Sequence, residues 1–291
     1  MSNRVALITG CSSGIGRDIA RAMFKYKYEP IVVYASARNL KSIEFLKAEG
    51  MNIVQLDVND QQSIKDAIKT IVDKEGKLDI LVNNAGMNYY GPAIELKHEE
   101  TKKIMDTNFI GLVDTTIEAC KYMVPRKTGL IINIGSVVGL ISTPFTGAYC
   151  ASKAAVHAWS DSLRMELDPF NIKVSIVMPG AIKSEIANNA QDTLQKTLAQ
   201  TLYEPIKKFI IMRSVASQQN ALPSEAFADY VVKRCLSTRP PKKLLYGPLS
   251  SIFGLIQFLP TILIDFILKK KFGLLYFRNY LNGNSKYIKS N

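Results

Sequence analysis

Cysteine, histidine and tryptophan are scarce, at four, two and one in 291 residues. Cys11, Cys120, Cys150 and Cys235 are widely spaced and form no Cys-x-x-Cys pair. That argues against a disulfide framework or a zinc site and for reduced, mostly buried thiols. His98 and His157 lie far apart with no ligand spacing between them, so no metal is expected. Internal repeats and low-complexity segments are missing, and 47% of the residues are hydrophobic, which excludes a disordered chain. The chain starts Met1-Ser2-Asn3-Arg4 and enters a strand at once, so no secretory or transit segment is expected ahead of the fold. A chain of this length can bury one large core, or a core plus a smaller extension.

Acidic residues are nearly missing from one end. The formal charge is +12, yet from Lys233 onward eleven Lys or Arg face one acid, Asp265, a net of +10 that leaves +2 for the first 232 residues. The cations are interleaved with apolar residues in a tail rather than spread over a basic fold, so a membrane or lipid-droplet surface, and no nucleic acid, is the expected partner. Leu249 to Leu268 is twenty residues long with one charge and is followed by Lys269-Lys270-Lys271. Its length approaches that of a spanning helix, but Gly254 and Pro260 interrupt it and Asp265 is costly inside a bilayer. An interfacial anchor with the lysines at the headgroups is expected. A true span, a homodimer interface and a helix packed on the core are the alternatives.

What the first two-thirds does contain is alternation. Short β-branched runs at Val5–Thr9, Ile31–Ala35, Asn52–Leu56, Leu78–Asn83, Gly129–Ile134 and Ile172–Val177, with Lys243–Tyr246 as a seventh, read as strands. Between them lie apolar residues at helical spacing, such as Ile15, Ile19, Ala22, Met23 and Ile64, Ala67, Ile68, Ile71. This pattern predicts an α/β, doubly wound parallel sheet with helices on both faces. Ligands in such sheets bind beyond the carboxyl ends of the strands.

Every motif falls at such an end. Gly10, Ser12, Ser13, Gly14, Ile15 and Gly16 follow the first strand and open a helix, as a turn suited to a pyrophosphate. At the end of the second strand, Ala35-Ser36-Ala37-Arg38-Asn39 has no acid for a ribose 2'-hydroxyl. Arg38 and Ser36 are placed to meet a 2'-phosphate, which favours NADP(H) over NAD. An Arg38 that merely starts the next helix in solvent is the alternative. Asp57, followed by Val58, is an acceptor for an adenine amino group. Asn84, Ala85 and Gly86 close the fourth strand with small residues and an amide. Pro179, Gly180, Ile182 and Ser184 follow the sixth and would face a nicotinamide carboxamide.

Tyr149 and Lys153 are four apart and share one helix face, with Ser136 upstream. A fixed cation stabilises a phenolate and moves tyrosine from about 10 toward the working range, so the pair can give or take a proton at an alcohol oxygen. Asn108 lies in a helical stretch, where its amide either serves the site or satisfies backbone. Asn88-Tyr89-Tyr90 reads as the substrate mouth or as a surface loop. The stretch Ser184–Pro223 reads as a lid over the substrate. Its cations Lys196, Lys207, Lys208 and Arg213 either contact a phosphate or coat a solvated helix.

Together the glycine turn, the Asn83–Gly86 run, Ser136, Tyr149, Lys153 and the Pro179-Gly180 turn resemble the short-chain dehydrogenase/reductase family in its classical branch, over roughly residues 4–240. The resemblance implies a seven-stranded Rossmann-type domain and NAD(P)-linked oxidoreduction. It implies that Tyr149 donates the proton in reduction and that Lys153 binds the nicotinamide ribose and lowers the tyrosine pKa. Ser136 would orient the carbonyl and Asn108 support a proton relay. Tyr28-Glu29-Pro30 departs from the family, which commonly has a glycine before the second strand. The Gly147–Ala158 run and the tail from Phe258-Leu259-Pro260 to Phe272-Gly273-Leu274 are similar to the NADPH-dependent 1-acyldihydroxyacetone-phosphate reductases. This narrower likeness implies a lipid-like ketone substrate at the cytosolic face of the endoplasmic reticulum or of a lipid droplet. A hydroxysteroid or retinol dehydrogenase and an inactive cofactor-binding scaffold are the alternatives. On this reading residues 1–247 form the NADP-binding catalytic domain, with 184–223 as its lid, and 248–291 the membrane-associating tail.

Overall fold

The apolar runs become seven strands: β1 Arg4–Ile8, β2 Ile31–Ala37, β3 Asn52–Gln55, β4 Ile80–Asn83, β5 Gly129–Ile134, β6 Ile172–Pro179 and β7 Lys243–Tyr246. In the computed structural model, which describes residues 3–184, 194, 198–216 and 218–283, all pair in parallel in the order β3-β2-β1-β4-β5-β6-β7. This is the expected doubly wound, Rossmann-type sheet. β1 lies inside the sheet between β2 and β4, with Ala6 opposite Val33 of β2 and Ile80 of β4. Its continuous apolar run fits a strand covered on both faces.

The helices are α1 Gly14–Phe24, α2 Glu44–Ala48, α3 Gln61–Glu75, α4 His98–Met105, α5 Gly111–Met123, α6 Gly147–Leu167, α7 Lys207–Ala216, α8 Ser224–Cys235, α9 Ser250–Ile256, α10 Thr261–Lys271 and α11 Leu274–Leu281. On one face Ile19 and Met23 of α1 meet Phe227 and Val231 of α8 in a single apolar cluster with the strands. On the other, α3, α5 and α6 supply Ile64, Ile68, Ile71, Ala119, Met123 and Leu167. The helical spacing of α3 thus buries one stripe, each isoleucine contributing about 1.5–3 kcal/mol relative to exposure. The Asp60 side chain caps that helix by accepting from the backbone N–H of Gln62 and Ser63, and Gly76 ends it at φ 73°.

Two strand ends differ from expectation. β4 starts at Ile80 rather than Leu78, although the Asp79 N–H still donates to Val5 O and its carbonyl accepts from Leu130 N, both at 2.9 Å; the Asp79 carboxylate accepts from Val5 N at 2.9 Å and pairs with Arg126 and Lys77. β2 runs to Ala37, two residues past its expected end.

A third apolar cluster lies beyond the sheet. Leu194, Leu198, Ile206 and Ile210 of the lid segment pack with Tyr90, Phe145 and Phe272. Residues past 247 therefore take part in the fold. Pro260 separates α9 from α10 and stands at the N-cap of α10. Among the described residues no helix is long and apolar enough to cross a membrane.

Candidate active site

The ends of β1 and β4 are laced together. Thr9 Oγ1 accepts from the backbone N–H of Asn84 and Ala85 at 2.9 and 3.0 Å, and Asn84 Nδ2 donates to the carbonyls of Thr9 and Gly10 at 2.9 and 3.0 Å. This close approach needs glycine. Gly10 has φ +71°, and a Cβ there would lie 2.8 Å from Ala85 Cα; one at Gly16 would lie 2.2 Å from Asn84 Nδ2. The result is a cleft lined by Gly10, Ser12, Ser13, Gly14, Ile15, Arg38, Asp57, Val58, Asn84, Ala85, Gly86 and Ser184. Its shape and the helix N-terminus at Gly14 fit a dinucleotide, with the pyrophosphate held by the turn.

Two details of this cleft differ from the sequence reading. Ser36 is buried and donates its hydroxyl to Ile8 O at 3.0 Å, so it is not free for a 2'-phosphate. Lys103 of α4 lines the same cleft as Arg38, which nothing in the sequence signals. Asp57 Oδ1 accepts from Asn59 N at 3.0 Å in a local turn.

The cleft continues into a pocket lined by Ser136, Tyr149, Lys153, Pro179, Gly180 and Ile182, with Ile15, Asn84, Gly86 and Ser184 shared between the two. Ser136 caps a short turn after β5, its Oγ accepting from Val138 N at 3.4 Å. Its hydroxyl stands close enough to the Tyr149 phenol to favour the phenolate. Lys153 Nζ donates to Ile134 O at 2.8 Å and stands 5.8 Å from the Tyr149 ring centroid.

The electrostatics correct one expectation. Burial pushes the Tyr149 pKa well above its ordinary value, with Tyr90 adding to the rise and Ser136 and Arg213 opposing it. The lowering expected from Lys153 does not prevail. Burial instead pushes Lys153 itself down to about 8. Lys153 therefore binds fewer protons in the folded than in the unfolded chain between about pH 8 and its ordinary 10.5. Stability must rise with pH across that window through this group, by at most about 1.4 kcal/mol per pH unit. Denaturant titrations should show wild type gaining on Lys153→Met from pH 8 to 10. A difference that stays flat would place the Lys153 pKa near its ordinary value.

Asn108 sits in a π-turn, 106–110, between α4 and α5. Its Oδ1 accepts from Met87 N at 2.7 Å, and its Nδ2 donates to Met87 O and Ser152 Oγ, both at 2.9 Å. The side chain thus clamps the strand-four turn to the helix that carries Tyr149. His157 is a residue the sequence reading passed over. Its Nε2 accepts from Ser136 N at 3.3 Å, and burial, with the Lys153 charge, pushes its pKa down to about 4, so the ring is neutral. The spacing 149, 153, 157 on one helix face was the available signal.

The pocket's outer wall comes from distant segments. Tyr90 is buried in it, and Thr143, Arg213, Leu249, Phe253, Lys271 and Phe272 complete it. Of the lid cations, Arg213 faces the pocket, Lys207 pairs with Glu204, Lys208 lies over the Phe209 ring, and Lys196 falls outside the described residues. The site resolves into a dinucleotide cleft, a Ser-Tyr-Lys proton-transfer group and an apolar chamber.

The chain matches the short chain dehydrogenase family over residues 4–195 and belongs to it. It is therefore an oxidoreductase that binds a nicotinamide dinucleotide. It is 34% identical to an NADPH-dependent 1-acyldihydroxyacetone phosphate reductase of Schizosaccharomyces pombe over 232 residues, 78% of this chain and 77% of that protein. A protein of the same description from Saccharomyces cerevisiae is 29% identical over 290 residues, 97% of this chain and 96% of that one. Among solved structures, a short-chain dehydrogenase from Streptomyces avermitilis superposes with a TM-score of 0.73 at 27% identity, covering 93% of this chain and 97% of its own.

Proposed function

We propose that the protein is an NADPH-dependent carbonyl reductase of lipid metabolism that converts 1-acyldihydroxyacetone phosphate to 1-acylglycerol 3-phosphate. The observation that carries this reading is that tail residues Leu249, Phe253, Lys271 and Phe272 wall the chamber beside Tyr149. The similarity to the Saccharomyces cerevisiae reductase extends over that tail.

Bound in the cleft, the cofactor supplies hydride from its nicotinamide. Ser136 and Tyr149 then present two hydroxyls to the ketone oxygen, and Tyr149 gives its proton to the developing alkoxide. A phenol whose pKa is raised by burial is fully protonated at neutral pH, which suits an acid in reduction. Lys153, a buried cation beside the ring, stabilises the phenolate that remains and is placed to hold the nicotinamide ribose. His157 accepts from the Ser136 backbone and fixes the hydroxyl's position. Asn108 supports a relay that reprotonates Tyr149 by holding Met87 and α6 together. Arg38, at a strand end without an acid, favours the 2'-phosphate of NADPH, and Lys103 adds a second cation to the same cleft.

Membrane association, at the cytosolic face of the endoplasmic reticulum or of a lipid droplet, is the second part of the proposal. Phe258, in the turn after α9, and Ile262, on α10, are 81% and 78% exposed, and Lys269 and Lys270 follow. Apolar side chains flanked by lysines match a lipid surface.

The test follows NADPH and NADH oxidation by wild type and Arg38→Ala against acyl-dihydroxyacetone phosphate, a steroid ketone and retinal. Wild type should turn over the acyl phosphate with NADPH fastest. Arg38→Ala should weaken NADPH binding by about tenfold to a hundredfold and leave NADH nearly unchanged. A preference for the steroid ketone or retinal would overturn the substrate, and equal losses for both nucleotides would overturn the role of Arg38.

A further inference from the structure

Arg213 is a buried cation with no anion beside it among the described residues. It is 8% exposed on α7, and its Nε and Nη2 both donate to Thr143 Oγ1, at 3.2 and 2.9 Å. The guanidinium carries five N–H donors, and one hydroxyl leaves several of them without a partner. Tyr90 and Phe272 flank it, with ring centroids 5.6 and 6.0 Å from Cζ. Aromatic faces accommodate the cation but leave its edge for an acceptor. No carboxylate pairs with Arg213 among the described residues, although burying an unpaired charge is costly. A second cation stands in the same wall. Lys271 ends α10, with Nζ 5.7 Å from the Phe272 ring centroid, and lines the pocket. Its neighbour Lys269 pairs with Asp265 at 2.7 Å, whereas Lys271 has no acid among the described residues.

We infer that Arg213 and Lys271 form the seat for a phosphomonoester dianion on a ketone whose carbonyl lies at Ser136 and Tyr149; this rests on the reductase reading and names the groups that recognise its substrate's phosphate. Arg213 provides the planar fork that fits two phosphate oxygens, and Lys271 a point charge at the mouth. Leu249, Phe253 and the Phe272 ring supply apolar wall for a chain attached to the same ketone. The seat is built from the lid and the tail, so both must be in place for the phosphate to be held. Arg213 also lies close enough to Tyr149 to lower its pKa, which ties the seat electrostatically to the proton donor. A substrate lacking the phosphate would leave two cations unpaired and be discriminated against for that reason.

The experiment titrates dodecyl phosphate and dodecanol, both free in solution below micelle formation, into the full chain saturated with NADP+. Wild type should bind the phosphate about tenfold or more tighter than the alcohol. Arg213→Gln should erase most of that ratio, Lys271→Gln part of it, and Arg213→Lys should fall between wild type and Arg213→Gln. Equal affinity for phosphate and alcohol in wild type, or an unchanged ratio in both glutamine variants, would overturn the seat. If Arg213→Gln no longer binds NADP+, Lys271→Gln decides, since that side chain is exposed at the rim. Turnover of acyl-dihydroxyacetone phosphate separates the two claims. Phosphate binding through Arg213 without that turnover keeps the seat and sinks the substrate reading, and turnover with phosphate-independent binding does the reverse.

Discussion

Tyr149→Phe should lower kcat for ketone reduction by about a hundredfold or more while NADPH still binds. The substitution keeps the ring that Lys153 flanks and removes only the hydroxyl, which shares the pocket with Ser136. Loss confined to kcat, with the cofactor dissociation constant unchanged in a fluorescence titration, is the signature of an interaction made in the transition state. The raised pKa adds a directional consequence. Reduction needs the protonated phenol, so its rate should stay flat from mildly acid to neutral pH with respect to Tyr149. Oxidation of the product alcohol needs the phenolate and should rise with pH over the same range. Turnover by the Tyr149→Phe variant within a few fold of wild type would place the proton donor elsewhere in the pocket, and Ser136 would be the first group to examine.

The sheet was legible because parallel strands buried on both faces read as apolar runs, and because the chemistry of this fold gathers at strand ends. Gly10, Ser136 and Pro179 stand at the ends of β1, β5 and β6, and all line the joined cleft and pocket. Tyr149 and Lys153 were legible from a spacing of four. Ser36 was misread for a local reason. β2 extends to Ala37, which keeps Ser36 inside the strand, where its hydroxyl bonds Ile8 O instead of facing the cleft end. Tyr149's electrostatics were misread for a tertiary one. Spacing reports that a cation is near, but not how far burial disfavours the phenolate, and here burial is the larger influence. The pocket wall was least legible. Tyr90, Arg213 and Phe272 meet through a cluster whose members are separated by much of the chain, and no periodicity in any one segment records that meeting.

The tail has a buried and an exposed face. Phe272 is buried under the lid, whereas Leu255, Phe258, Ile262 and Phe266 are exposed. Replacing Phe258, Ile262 and Phe266 together with serine should leave NADPH binding intact, because none of the three touches the cleft or pocket. Partition onto anionic vesicles should fall by about a hundredfold or more, since each such side chain contributes about 1.5 kcal/mol or more when it leaves water. Lys269→Gln with Lys270→Gln should weaken attachment further at low salt, by about 1 kcal/mol per cation at most. Lys269 should contribute the smaller share, as Asp265 already pairs with it. Removing the whole tail is a poorer test, because it strips Phe272 from the lid cluster and Lys271 from the pocket along with the exposed face. If the serine variant keeps its vesicle binding, the exposed face is not the anchor. If wild type shows no vesicle affinity and the triple variant instead turns a dimer into a monomer by sedimentation, the face is an interface between two copies of the chain, and the pocket opens beside a protein partner rather than a lipid surface.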